Sequence, residues 1–440
     1  MTELRGTHGP GPGHILTELF GTEGLERLEV YRAHGGFEGL ERALGMEPAA
    51  IVDEMKASGL RGRGGANFAT GLKWSFMAPP DGGPRYVVCN ADESEPGTSK
   101  DRYLMENSPH MLLEGVLIAC YAIQSHQAWI YIRGEYDRPR RMLEEAVAEL
   151  TAAGILGERP LGHNYALDIR LYRGHGAYIC GEETALLESL EGKRAQPRPK
   201  PPFPALKGAW GRPTLVNNVE TLSTVPWILR HGAAEYSKFG TEKSKGTRLM
   251  SVSGNVLRAG VYEVELGSTF RHILYDLAGG TPAGTQLKCF WPGGSSQPVL
   301  RAEHLDLGCD IESVAAAGSA AGSAGCVVMD DRSCAVEVAL RLCQFYAVES
   351  CGKCTPCRVG GNWAVTTLER ILSGAGSQSD LELLDRIQRS IQYGRCLCPL
   401  GDSVGAVILT LMNNFRGEFE EHALRNECSP KRAQGVAAGV

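Results

Sequence analysis

The chain has 440 residues, 43% of them apolar, and a formal charge of −6 at pH 7. That length suits about three domains of roughly 150 residues each, and the charge leaves no basic field for coating a nucleic acid. Fourteen cysteines, behind a Met1 to His14 start that lacks the basic and apolar stretches of a secretory signal, predict reduced thiols or metal ligation in a cytoplasmic protein.

Residues 1–58 read as an N-terminal helical segment, in which Glu23 to Ser58 forms helices broken by Gly35-Gly36 and by Pro48. Gly59 to Gly71 is a glycine-dense loop that opens the region 59–240. There a short apolar strand at Tyr86 to Cys89 leads through an acidic turn to a helix at His110 to Ile123. A strand at Trp129 to Arg133, a helix at Arg140 to Ala153 and a strand around Leu167 to Tyr172 follow, and this alternation predicts an α/β domain. Pro197 to Pro204 is too proline-rich for either regular element and reads as an extended surface loop.

In 241–330, two β-like runs between Arg248 and Val264 flank Gly254-Asn255, with a helix at Phe270 to Leu277 and a strand at Leu287 to Trp291 after them; the pattern suggests a small β-grasp domain. Val314 to Gly325, almost wholly Ala, Gly and Ser, reads equally as a flexible linker or as an ordered tight turn. From 331 to 430, Ala335 to Tyr346, Val359 to Leu372, Leu381 to Ser390 and Ser403 to Asn414 have the amphipathic spacing of a C-terminal four-helix bundle. Residues 431–440 are expected to be a disordered tail. The most apolar stretches, Met111 to Ile123 and Val404 to Met412, are short or interrupted by Glu114, against the about 20 apolar residues of a bilayer span. Membrane contact is therefore expected only through other proteins.

The strongest chemical signal is ESCGKCTPC followed by RCLCPL. It gives C-x2-C-x2-C at Cys351, Cys354 and Cys357, then a distant Cys398-Pro399. Three thiolates at i+3 steps can wrap an iron–sulfur cubane and a distant fourth can close it. The competing reading is a structural zinc site with four cysteines. Cys396 offers a second candidate for the fourth ligand; Cys398 is preferred because Pro follows it. Other cysteines, such as Cys120 and Cys343, read as buried small apolar residues.

In GLRGRGGANFATGLKW, the amides around Gly62, Gly64 and Gly65 can cradle a phosphate, with Arg61, Arg63 and Lys73 to balance its charge. A Rossmann fingerprint needs a strand before the glycines. Ile51 to Ala57 looks helical instead, so the ordinary dinucleotide fold is excluded for this loop. NADESEPG places Asn90, Asp92, Glu93 and Glu95 at the carboxyl end of a strand, where α/β ligands sit; a solvated acidic turn is the bland alternative. GAYICGEETAL offers Gly176 and Gly181 for close backbone approach, with Glu182 and Glu183 as acceptors for ribose hydroxyls. Phe68, Phe76 and Phe203 can stack on adenine or nicotinamide, Lys200 can meet a phosphate, and Asn217 and Asn218 of VNNVET can bond a flavin ring or its phosphate. No hydrolytic triad stands out, and the eleven histidines read as structural.

Taken together and in this order, GLRGRGG, NADESEPG, GAYICGEETAL, PPFP, VNNVET, ESCGKCTPC and the distant Cys-Pro resemble the NADH-binding flavoprotein subunit of respiratory complex I, over roughly Leu28 to Phe415. The resemblance implies non-covalent FMN near the glycine loop, NADH stacked above it, and one [4Fe-4S] cluster on Cys351, Cys354, Cys357 and Cys398. It implies FMN contacts at Gly62, Arg63, Gly64, Lys73, Asn90, Asp92, Glu93, Ser94, Tyr178, Gly181, Glu182, Asn217 and Asn218. Gly65, Gly71 and Thr221 lie within the same motifs. NADH contacts are implied at Phe68, Phe76, Glu95, Glu183, Lys200 and Phe203, with no side chain acting as acid or base and with Glu95 and Tyr178 near the hydride path.

Hydride arrives as an electron pair and clusters take single electrons, so a flavin must split the pair. Onward transfer to quinone then implies partners, especially a [2Fe-2S] thioredoxin-like subunit and a large iron–sulfur subunit. They would hold the chain peripherally on the inner face of the plasma membrane. The sequence departs from the family pattern at Asn67 and Ala69, where Gly and Pro are usual, and at Cys396; Asn tolerates left-handed backbone angles, so the loop is expected to keep its shape. The rival readings are the diaphorase subunit of a soluble NAD-linked hydrogenase or formate dehydrogenase, which uses the same core, and a non-catalytic assembly protein with a zinc knot.

Overall fold

A computed structural model describes residues 14–430; the polar start and the 431–440 tail lie outside the described residues. Strands β1 (Tyr86–Ala91), β2 (Gln127–Ile132), β3 (Asp168–Arg173) and β4 (Thr214–Asn218) form a parallel sheet in the order β3-β2-β1-β4. Val87, Val88 and Cys89 are fully buried, because helices cover both faces and a parallel strand then needs apolar side chains on both sides. Helices Pro109–Ala122 and Val219–His231 belong to the core on one face. Helix Glu183–Leu190 covers the other.

The chain order reverses at β1, which pairs with β2 on one side and β4 on the other, in register Cys89 with Asn217 and Asn90 with Asn218. This is the switch point where ligands gather in open α/β sheets. The alternation read from the sequence is therefore present, and β4 and the helix Lys100–Asn107 add to it. Glu114, which interrupts the apolar helix, has a structural use. Its buried carboxylate accepts from Phe37 N at 2.9 Å, Leu40 N at 3.0 Å and the Tyr31 hydroxyl at 2.7 Å, docking the N-terminal segment on the sheet layer.

A second sheet, in the order β6-β5-β8-β7, is mixed: β5 (Thr247–Gly254) pairs antiparallel with β6 (Gly260–Glu265) and parallel with β8 (Gly325–Asp330), while β7 (Leu287–Trp291) closes the edge antiparallel to β8. Its own core includes Phe270, Ile273, Phe290 and Cys326. The Ala/Gly/Ser stretch resolves as an ordered turn. A short helix Ile311–Ala316 is followed by Gly318, Gly322 and Ala324 at positive φ, and Ser319 Oγ donates to Pro298 O at 2.5 Å.

Helices Ala335–Glu349, Thr355–Arg370, Gln378–Ile391 and Pro399–Asn414 then pack around Ala364, Leu384, Val404 and Leu411. The second begins four residues earlier than its apolar pattern suggested. Pro356 sits in its first turn, where a missing N–H has no partner to lose.

Candidate flavin, nucleotide and iron–sulfur sites

The glycine loop leaves helix Pro48–Ala57 and folds back on itself, with Gly62 N donating to Phe68 O and Thr70 N to Leu60 O, both at 2.8 Å. Asn67 holds φ at +52°, the left-handed geometry that Asn accepts. At Gly64 a Cβ would stand 2.8 Å from Asn218 Cβ, so glycine lets the loop lie on the end of β4. Gly65 has φ +124° and open space around it. Gly71 does other work: a Cβ there would collide with Lys56 N, so glycine packs one helix against another.

The two loop arginines also face inward. Arg61 pairs with Glu312 at 2.6 Å; buried Arg63 donates to Lys245 O at 2.9 Å and the Tyr236 hydroxyl at 3.3 Å, and its N–H reaches Thr221 Oγ1 at 2.8 Å. Both guanidinium groups thus brace the loop, and Lys73, itself half-buried, pairs outside it with Glu183.

At the carboxyl end of β1, Asn90 Nδ2 donates to Gly181 O at 2.9 Å and Asn90 Oδ1 accepts from Asp92 N at 3.1 Å. Asp92 Oδ1 accepts from Ser94 Oγ, while Asp92 Oδ2 is buried with no hydrogen-bond partner among the described residues. Burial pushes the Asp92 carboxyl up to about 7, against the hydrogen bond from Ser94 and the charge of Arg133. A buried carboxyl with one idle oxygen beside a glycine cradle fits a polyhydroxyl ligand such as the ribityl chain of FMN.

Glu93 is turned away from that opening. It accepts from Asp101 N at 2.8 Å, Arg102 N at 2.9 Å and the Tyr136 hydroxyl at 3.0 Å, fixing the start of helix Lys100–Asn107. Asn217 Oδ1 accepts from Trp74 Nε1 at 2.9 Å; Asn218 caps helix Val219–His231 through Glu220 N and donates to Asp101 Oδ2 at 2.6 Å. Beneath them lies a knot that sequence reading did not find. Buried Lys100 Nζ stands 2.7 Å from both Asp101 Oδ1 and Glu220 Oε2. Burial favours the neutral amine, yet the two carboxylates hold Lys100 protonated.

The candidate nucleotide face is different in kind. Lys73 Nζ meets Glu183 Oε2 at 3.0 Å, and Lys200 Nζ meets Glu182 Oε1 at 3.0 Å and Glu183 Oε1 at 3.1 Å. Burial would raise the Glu183 carboxyl, but the two lysines hold it below its ordinary range. Glu182 also caps helix Glu183–Leu190, accepting from Thr184 N and Ala185 N, both at 2.9 Å. Phe68, Phe76 and Phe203 are 47%, 52% and 55% exposed, and the first two rings stand 6.1 Å apart. Three large apolar rings left in water around a compensated charge cluster suit a flat ligand that stacks.

Glu95 joins the two sheets to the helical region. Its carboxylate accepts from the Tyr178 hydroxyl at 2.7 Å and from Ser296 N at 2.7 Å, and burial raises its carboxyl above the usual range. The Tyr178 ring packs edge-on against Phe345 and Tyr346, and Tyr178 N donates to Glu349 Oε2 at 2.8 Å, next to the cysteine loop. A second tie runs beside it. Gln196 Nε2 donates to Cys351 O at 3.1 Å and Lys353 Nζ to Pro197 O at 2.7 Å, so the proline-rich segment is bonded to the cysteine motif.

Cys354 and Cys398 occupy the positions just before helices Thr355–Arg370 and Pro399–Asn414, so the amide-rich ends of two helices face the motif. Such ends favour thiolates and an anionic cluster. Leu397 N donates to Cys354 Sγ at 3.3 Å, and Ser350 Oγ lies 3.3 Å from Cys357 Sγ. Gly352, at φ +79°, makes the turn between Cys351 and Cys354. The sulfur of Cys396 fills the room left by Gly401, where a Cβ would stand 2.5 Å away. Thiolate donors, backbone N–H donors and a helical shell fit an iron–sulfur cluster. Cys120 and Cys343 are fully buried in apolar cores, as expected.

Family models match two stretches: the Nuo51 FMN-binding domain over residues 55–227 and the NADH-ubiquinone oxidoreductase-F iron-sulfur binding region over residues 337–422. An NADH-quinone oxidoreductase subunit of Streptomyces coelicolor is 50% identical over 423 residues, covering 96% of this chain and 94% of the relative. Its counterpart in Escherichia coli is 45% identical over 395 residues, 89% of each chain. Among solved structures, an NAD+-reducing [NiFe]-hydrogenase in its air-oxidized state superposes with a TM-score of 0.81 at 35% identity, over 94% of this chain and 67% of that one. Both matched stretches coincide with the sites built above, and the chain belongs to the family of NADH-quinone oxidoreductase subunits that join this FMN-binding domain to this iron–sulfur region.

Proposed function

We propose that this chain is the NADH-oxidising subunit of a quinone-reducing respiratory complex, with FMN at the switch point of the parallel sheet, NADH on the Phe68/Phe76/Phe203 face and the cluster on Cys351, Cys354, Cys357 and Cys398. The observation that carries this reading is the path from Glu183 to Lys200 and then through the proline-rich segment to Lys353, which ties the nucleotide face to the cysteine loop. FMN, when bound, accepts hydride and releases single electrons, which a [4Fe-4S] cluster takes one at a time.

The protein's own part is to hold and to exclude. Asn90, Asp92 and Ser94 offer polar atoms beside a glycine loop, Lys73 offers a cation for phosphate, and Glu183 offers acceptors for ribose hydroxyls. Tyr178, bonded to Glu95 and Glu349, ties the turn after β3 to the end of helix Ala335–Glu349 beside the cysteine loop. No side chain need exchange a proton with substrate. Arg63, Glu93, Asn218, Gly71 and Thr221 act one step back, by fixing the loop and strand ends.

We read residues 59–240, 241–330 and 331–430 as the FMN/NADH, β-grasp and cluster domains, in line with the two sheets and the helical bundle. Exposed Trp363, Tyr393 and Leu397 lie on the elements that carry the cysteines and suit a docking face for cluster-bearing partners, a [2Fe-2S] thioredoxin-like subunit and a large iron–sulfur subunit. Among the described residues no helix is long and apolar enough to cross a membrane. The kinship with subunits of an NADH-quinone oxidoreductase supports a place on the cytoplasmic face, held through the complex. The test is reconstitution with FMN followed by anaerobic NADH: flavin absorbance should bleach with about one NADH per FMN. FMN-loaded protein that NADH leaves unbleached would overturn the reading.

A further inference from the structure

Cys334, His422 and Cys428 belong to none of the motifs used so far. Their ligand atoms, two sulfurs and one imidazole nitrogen, all lie within 4.8 Å of one another, and all three side chains are buried. Among the described residues this is the one such group. Cys334 Sγ and His422 Nε2 are 3.3 Å apart. The three come from two places: Cys334 immediately precedes helix Ala335–Glu349, while His422 lies in the helical turn Glu421–Arg425 and Cys428 follows that turn.

A tetrahedral zinc, with Zn–S of about 2.3 Å and Zn–N of about 2.0–2.1 Å, sets its ligand atoms about 3.6–3.8 Å apart, and the observed spacing brackets that value. We propose that Cys334, His422 and Cys428 form a second metal site that holds Zn2+ and staples the C-terminal segment to the start of helix Ala335–Glu349. Binding releases both thiol protons and leaves two thiolates and a neutral imidazole around a divalent cation. That unit has no net charge, which suits burial. The fourth tetrahedral position is left to a water molecule, which keeps the unit neutral.

The test is metal analysis of the full chain with its iron–sulfur cluster loaded, comparing wild type with Cys428→Ser. Wild type should carry about one zinc per chain and the variant at least about fivefold less, with iron and FMN content unchanged. Equal zinc in both would overturn the proposal. Zinc X-ray absorption on the wild type needs no variant and expects two sulfur scatterers and an imidazole. Four sulfurs would place the zinc on Cys351, Cys354, Cys357 and Cys398 and overturn it. So would a Cys334–Cys428 disulfide in the purified protein, or zinc-free wild type that takes up none when Zn2+ alone is added.

Discussion

At the carboxyl end of the parallel sheet, Glu182, Glu183, Lys73 and Lys200 compensate one another, so the candidate nucleotide face is electrically settled before any ligand arrives. At the start of helices Thr355–Arg370 and Pro399–Asn414, half-buried Cys354 and Cys398 have backbone amides around them and, among the described residues, no cation hydrogen-bonded to them. The first region can exchange one set of polar partners for another, which suits a substrate that comes and goes. The second is completed only by a resident metal centre. Changes in the cysteine region should therefore act all-or-none, and changes at the nucleotide face should act by degrees.

The largest effect is expected at the cysteines. Cys354→Ser should reduce iron to background while NADH still bleaches the flavin, because a serine hydroxyl is a poor substitute for a thiolate on iron. Iron content and flavin absorbance on one sample check this; full iron in the variant would erase the contrast between the two regions. Next is the knot beneath the sheet end. Lys100→Ala strands Asp101 and Glu220 in the core and should cost about 3–5 kcal/mol of folding stability, read as a lower midpoint in denaturant. An unchanged midpoint would mean that the site's floor does not depend on these charges.

A graded effect is expected at Glu183. Its carboxylate opposes the extra phosphate of NADPH, but Lys73 and Lys200 blunt that opposition; Glu183→Ala removes it, releases Lys73 and leaves Lys200 to Glu182. The ratio of kcat/KM for NADPH to that for NADH should rise at least about tenfold, with FMN content normal. A fixed ratio would move the discriminating role to Glu95. The smallest effect concerns Asp92. Its carboxyl is raised from 3.8 to about 7 by burial, so its contribution to stability is full below the unfolded value and is lost as pH rises through about 7. In FMN-free protein, Asp92→Asn should gain a few degrees of Tm over wild type between about pH 4 and pH 8. A pH-independent difference would show that Asp92 does not titrate there.

The candidate residues were legible where chemistry needs a particular residue type at a fixed local spacing. Two cysteines stand at helix starts, Asn90 and Asp92 stand at the carboxyl end of β1 and the three phenylalanines are exposed, whereas Glu93 turns inward to hold helix Lys100–Asn107. Long-range pairing was not legible. Lys100 and Glu220 lie far apart in the chain and meet only because β1 pairs with β4, a register no local pattern reveals. The same holds for Ser296, Tyr346 and Glu349, which brace Glu95 and Tyr178 from other elements.

Strand β4 is five residues long and ends in two asparagines, so its β pattern was masked by the amides that make it useful. The arginines of the glycine loop looked like phosphate partners because sequence gives charge without direction; burial of Arg63 and the pairing of Arg61 supply it. A run of buried charge between two motifs, such as Lys100-Asp101 after an acidic turn, is the signal that would have found the knot.

The central claim is that electrons pass from NADH through the flavin site to a cluster closed by Cys398 and not by Cys396. Anaerobic reduction with NADH, followed by electron paramagnetic resonance on wild type, Cys396→Ala and Cys398→Ser, tests it most directly. The account predicts a reduced-cluster signal in wild type and Cys396→Ala and none in Cys398→Ser, with flavin bleaching in all three. A signal kept in Cys398→Ser and lost in Cys396→Ala would contradict it.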